Sequence, residues 1–263
     1  MFDFLNFDPK MPLATELIRW IHVVAGILWI GHLYFFNWVN ANFAAKLDAE
    51  TKRKVVPELM PRALHFFRWG AVFTWVTGIM LLGIVFYMGK KALDPGVTWG
   101  PFQLAMLAVT LLSPFLYDVL VKNALKTPPV QFWGGLGLVA AALFAYKAAG
   151  FTFRGYSIHM GALFGTIMAF NVWFRIWPAQ RQIITAVKEG QKPEDATVAL
   201  AGSRSKHNTF LSVPLVFFML NHHSSEWAGT GDDPFPVWPF LIVVLGWVGT
   251  HHLYGHAKKV QGF

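Results

Sequence analysis

Ten histidines are spread along a chain that is otherwise 55% hydrophobic and only 14% charged. They are His22, His32, His65, His159, His207, His222, His223, His251, His252 and His256. Imidazole is neutral near pH 7, donates and accepts hydrogen bonds, and is a common ligand for metals and for haem iron. Arg19/His22 and His65/Arg68 each place a histidine three residues from an arginine. Residues at i, i+3 share a helix face, and a guanidinium there binds carboxylates through charge-assisted pairs. Each pair therefore suits a haem held by iron ligation and propionate contacts, or a small anionic substrate.

The elements that must position these groups are membrane spans. A soluble domain carries about 25% charged residues, well above this chain, which also holds 25 Phe and 12 Trp in 263 residues. Apolar segments predict an all-α integral membrane fold of seven transmembrane helices at about 16–40, 63–88, 99–121, 130–149, 155–177, 208–222 and 236–256. The first runs ~36 Å at ~1.5 Å per residue, enough to cross a bilayer. A polar loop with Lys46, Lys52, Arg53, Lys54 and Arg62 joins the first two. Residues 179–189 read as an interfacial helix, followed by a loop. Gly134, Gly135 and Gly137, and the Gly161/Gly165 pair, are small-residue spacings suited to close helix packing. The chain reads as a single multispan domain, 1–263, with no repeat, no separate soluble domain and no cleavable signal peptide.

The net charge of +8 lies in short loops between apolar segments, a pattern of membrane topology and anionic lipid rather than of nucleic acid. Lys and Arg concentrate in the segments after spans one, three, five and seven, which predicts the N-terminus outside and the C-terminus inside. The loop 222–235 has no Lys or Arg but carries Glu226, Asp232 and Asp233, as an external loop would.

That topology sorts the histidines into two layers. His22, His159, His222 and His223 fall on the outer side. His65, His207, His251, His252 and His256 fall on the inner side, with His32 nearer the inner layer. A bis-histidine b-type haem needs two ligands from facing helices at one depth. The expectation is two b haems, held by His22, His159 and His222 outside and by His65 and His207 inside, with Arg19 and Arg68 on propionates or an anionic substrate. Other roles stay open: neighbours such as His222/His223 and His251/His252 cannot both face one site, and His252/His256 suit a metal or lipid headgroups. Asp118, embedded near the end of span three, reads as an ion pair with Lys122 at i+4 or as a proton relay. With no cysteine there is no covalent haem c and no disulfide. Phosphate-binding glycine loops, G-x-S-x-G and H-E-x-x-H are all missing.

Several motifs in order carry a family resemblance. They are Arg19-Trp-x-His22 with Gly26-Ile-x-Trp29-Ile-Gly31; Leu64-His65-Phe-Phe-Arg68-Trp69 with Thr74-Trp75-x-x-Gly78; His159-Met-Gly-Ala-x-x-Gly165-Thr-Ile-Met168; Asn171-Val-Trp-Phe; Pro178-Ala-Gln-Arg181; Ser205-Lys-His207-Asn208-Thr; and Asn221-His222. Over about 240 residues the chain resembles the membrane domain of bacterial membrane-bound, cytochrome c-linked urate oxidases (urate hydroxylases). The resemblance implies an inner-membrane redox protein that oxidises urate to 5-hydroxyisourate and passes electrons to a c-type cytochrome. In that family a periplasmic cytochrome domain follows the membrane domain. This chain has no Cys-x-x-Cys-His, so the acceptor would be a separate partner, and His32 stands where the family has a small residue. The opening helix alone more weakly resembles the haem-containing protoporphyrinogen oxidase of bacteria and the copper-resistance membrane proteins. Two other functions stay open on the residues: a quinol-linked cytochrome b-like subunit of a larger complex, and a structural or metal-handling membrane protein.

Overall fold

The computed structural model describes residues 12–221 and 235–261, and every regular element among them is helical. The order is α1 (Pro12–Tyr34), a π-helical segment π1 (Phe35–Asn40), α2 (Ala41–Lys46), α3 (Ala49–Leu81), π2 (Leu82–Met88), α4 (Pro101–Asn123), α5 (Pro128–Ala148), α6 (Phe153–Asn171), π3 (Val172–Ile176), α7 (Trp177–Lys188), α8 (Asp195–Asn221) and α9 (Val237–Ala257).

Six stretches among the described residues are long and apolar enough to cross a membrane: Leu13–Lys46, Ala49–Met88, Pro101–Asn123, Pro128–Ala148, Phe153–Lys188 and Val237–Ala257. They correspond to six of the seven expected spans. The seventh, expected at 208–222, is not among them: its described residues, 208–221, form the second half of α8, whose first half is polar. Two segments expected as loops are helical. Residues 49–62 extend α3, capped at Asp48 by a hydrogen bond from the Thr51 N–H (2.9 Å), with Pro57 and Pro61 inside the helix. Residues 195–206 begin α8, where Ala196, Ala199, Leu200 and Ala201 favour helix. Hydropathy finds the part of a helix inside lipid and is blind to its polar extension.

Small residues set the close contacts, as expected where lipid supplies no hydrophobic drive between helices. A Cβ on Gly70 of α3 would lie 3.0 Å from the backbone N of Trp29 on α1, so these two helices touch backbone to backbone. Gly135 seats the Trp247 ring of α9, and Gly161 seats Met219 and Phe218 of α8. The outer faces are apolar: Trp20, Ile27, Phe115 and Leu245 are all more than 60% exposed. At the centre lies α6, whose residues Tyr156 to Gly161 are all buried, packed on α3, α4, α5 and α8.

Candidate functional site

Two polar sites lie inside this apolar bundle, at opposite ends of α6. The first is built by the α6 N-terminus. Thr152 caps the helix by accepting from the Gly155 N–H (2.8 Å), and Gly155 admits the Ala92 carbonyl, which any Cβ there would strike at 2.0 Å. That approach brings π2 over His159. The His159 Nδ1 faces the Gly155 carbonyl at 2.6 Å, and since a carbonyl only accepts, Nδ1 carries the proton. Nε2 therefore accepts, and the Tyr87 hydroxyl donates to it across 2.5 Å. Phe151, Tyr146 and Tyr87 enclose the ring at centroid distances of 4.7, 5.6 and 5.7 Å, and His159 is fully buried.

The second site gathers α4, α5, α6, π3 and α8. The Gln131 side-chain N–H donates to the Leu125 carbonyl (2.9 Å), which turns its oxygen toward His207 Nε2 at 3.1 Å. His207 Nδ1 is then the acceptor for the Tyr117 hydroxyl at 2.7 Å. Asn171 donates to the Tyr117 oxygen (3.2 Å) and to Asn208 (2.9 Å), and Asn208 donates to the Met168 carbonyl (3.0 Å). Beside this chain sits Asp118. Its carboxylate accepts from Arg175 Nε (2.8 Å) and Nη2 (2.6 Å), from Arg204 Nη2 (2.8 Å), and from Lys122 Nζ (2.8 Å).

Three cations around one carboxylate leave this hub with an excess of two positive charges. Arg204 is only 2% exposed and lies over the Tyr117 ring at 5.0 Å. Among the described residues its Nη1 and the Asn171 Oδ1 are buried without a hydrogen-bond partner. Such atoms in a low-dielectric interior are costly and call for a functional account. Each π segment supplies long-range polar contacts. Asn37 of π1 donates to Ser205 (2.8 Å) and accepts from Tyr254 (2.8 Å); Tyr87 of π2 meets His159; and Arg175 of π3 meets Asp118. π-helical turns are rare and concentrate at functional sites.

The remaining candidate residues lie elsewhere. His22 packs between α1 and α3, with Nδ1 3.0 Å from the Thr77 hydroxyl and its ring against Gly78. Thr77 and Tyr87 stand ten residues apart, about 15 Å along the helix, so His22 and His159 do not meet. Arg19 is paired with Glu16 at 2.6 Å on an exposed surface. His65 lines a 760 Å³ groove between α1 and α3 with Trp20, Phe66, Trp69 and Phe73, open to the outside of the bundle. Arg68 turns away from it, its guanidinium 4.0 Å over the Trp177 ring and 5.7 Å from that of Trp173. His32 bonds the Leu28 carbonyl at 2.6 Å, and His251, His252 and His256 are exposed on α9. His222 and His223 lie outside the described residues.

A bis-histidine haem requires two rings converging on one iron. His159 and His207 each engage both ring nitrogens with neighbours, and His22, His65, His159 and His207 have separate surroundings. As placed, these four do not form such a site. The Asp118–Lys122 pair expected from the sequence is present, within a larger cluster. Arg175, Arg204, Tyr117, Asn171 and Tyr87 were not foreseen. One signal for Arg204 exists: Arg204, Asn208 and Ser212 repeat at i+4 and i+8, a buried polar stripe on α8.

This is the architecture of an all-helical membrane protein with a polar, charge-bearing interior. The chain belongs to the urate oxidase N-terminal family, whose match covers residues 48–259, from the α3 cap through α9. Both polar sites fall within that match, whereas the Arg19/His22 motif precedes it. Comparison with curated proteins and with solved structures returned no match.

Proposed function

We propose that this chain is a redox protein of the bacterial inner membrane, oriented N-out and C-in, that oxidises a small anionic substrate, urate by family, and delivers electrons to a c-type cytochrome. Family membership across about four-fifths of the chain carries this reading. A partly enclosed hub with two excess positive charges, one of its arginines buried, agrees with it, since ionisable groups at membrane depth mark function by default. The chemistry balances as urate plus water giving 5-hydroxyisourate, two protons and two electrons, the electrons reducing two ferric cytochromes to ferrous. Among the arginines, Arg204 is the better candidate for substrate charge than Arg19, which is paired on the surface, or Arg68, which lies against two tryptophans.

His22, His65, His159 and His207 do not converge on one iron as placed, so whether the chain carries b-type haem is a question for direct assay. A second reading, an electron-transfer subunit linked to quinol, is favoured by the groove beside His65, which opens where a membrane-soluble ring would arrive.

The deciding experiment uses protein purified in mild detergent, with ferric c-type cytochrome and urate. The expected result is two cytochromes reduced per urate consumed. A pyridine haemochrome assay and a reduced-minus-oxidised spectrum run in parallel. Haem reduced by quinol and not by urate would replace the first reading with the second; neither haem nor urate-dependent reduction would overturn both.

A further inference from the structure

The hub around Asp118 is not wholly enclosed. Its outer side faces the bundle surface along the seam where α4 packs on the α6–π3 segment. Lys122 has 56% of its side chain exposed there and Arg175 25%. Leading up to them is a strip of apolar side chains. Leu112, Phe115 and Val119 are 57, 61 and 55% exposed on one face of α4. Phe115 meets Phe170 at 5.7 Å between ring centroids, Phe170 meets Phe174 at 5.0 Å, and the Arg175 guanidinium lies 5.4 Å over Phe170. The ten residues from Leu112 to Lys122 span about 15 Å, the hydrocarbon depth of one leaflet in a core of about 30 Å.

We propose that this seam is a binding site for one anionic phospholipid, with an acyl chain along Phe115, Val119, Phe170 and Phe174 and the phosphate at Lys122 and Arg175. Charge complementarity selects the headgroup. Asp118 neutralises only one of the three cations, and Arg204, buried behind it, adds positive potential that surface water screens poorly. A zwitterionic lipid has the same chains but no net charge to set against that excess. On the N-out, C-in reading the site faces the cytoplasmic leaflet, where basic pockets between helices take anionic headgroups. The site is independent of the redox reading, since it requires neither substrate nor cofactor.

Native mass spectrometry of the full chain in mild detergent counts retained phospholipid. Thermal denaturation is then followed with added phosphatidylglycerol, phosphatidylcholine of the same chain length, or inorganic phosphate. The expected result is retention of phosphatidylglycerol and a raised midpoint with that lipid alone. Lys122→Gln weakens retention about fivefold, the effect of one lysine near an anionic surface. Val119→Asp, which places a carboxylate on the apolar strip, also lowers it. Lys188→Gln, an equal charge change on the exposed side of α7, leaves it unchanged. Equal binding of the two lipids, stabilisation by inorganic phosphate alone, or equal losses in Lys122→Gln and Lys188→Gln would each overturn the proposal. So would a dimer that buries the strip against a second copy.

Discussion

Replacing Asp118 by Asn keeps the shape of the side chain but removes the charge on which three cations converge. The cost depends on how much water each cation can reach. Lys122 is more than half exposed and turns to solvent, a loss of about 0–1 kcal/mol. Arg204 is 2% exposed and has no such recourse, and removing the partner of a buried charge costs about 3–5 kcal/mol. Arg175, a quarter exposed, falls between. Asp118→Asn should therefore destabilise the protein by about 4–6 kcal/mol, a large share of a typical 5–15 kcal/mol. Unfolding in mixed micelles titrated with a denaturing detergent would measure it. Arg204→Met alone costs less, because Asp118 keeps two cations. The double variant should recover about 1–3 kcal/mol relative to the sum of the singles, the signature of a coupled pair. An Asp118→Asn variant within about 0.5 kcal/mol of the parent, or strict additivity in the cycle, would refute the assignment of Asp118 as the counter-charge to a buried arginine.

Three further outcomes are expected. Tyr87→Phe leaves His159 Nε2 buried with no donor, and should cost about 1–3 kcal/mol in the same unfolding assay. Gly70→Ala forces α1 and α3 apart at Trp29, where no side chain can give way, and should lower stability by a similar ~1–3 kcal/mol. The α3 cap should loosen in acid. The Asp48 carboxylate is held below its usual 3.8 by hydrogen bonds from the Thr51 N–H and hydroxyl. A group depressed on folding contributes above its unfolded value and loses that contribution as pH falls through the lower folded one. Hydrogen-exchange protection of the Thr51 amide, corrected for the intrinsic rate at each pH, should fall below pH 3.8 in the parent and show no such step in Asp48→Ala.

The sequence made the spans legible because lipid imposes a long apolar run on any helix it touches. Residues 99–121, 130–149 and 236–256 anticipated α4, α5 and α9 to within two residues. It hid what lies beyond the lipid or behind other helices. The start of α8 was read as a loop because its face toward the bundle is polar. The histidines were sorted by depth alone, yet two at the same depth can stand on opposite sides of a third helix. His159 was rightly seen as interior, but the close approach at Gly155 that seats Tyr87 on it is a tertiary fact. Asp118 was legible as an embedded charge with Lys122 at i+4. Arg175 and Arg204, 57 and 86 residues away, reach it only through the fold.

The buried polar stripe of α8 has a consequence for how the chain enters the membrane. Arg204, Asn208 and Ser212 make a lone α8 a poor client for lateral release into lipid, because Asn208 and Ser212 would enter it unpaired with Arg204 at its edge. Asp118, Asn171 and Tyr34, which meet Arg204, Asn208 and Ser212 in turn, belong to segments synthesised earlier. Translation thus presents the sockets before the plug, and α8 partitions into a preassembled proteinaceous cleft rather than into acyl chains. Its biogenesis is templated by its predecessors.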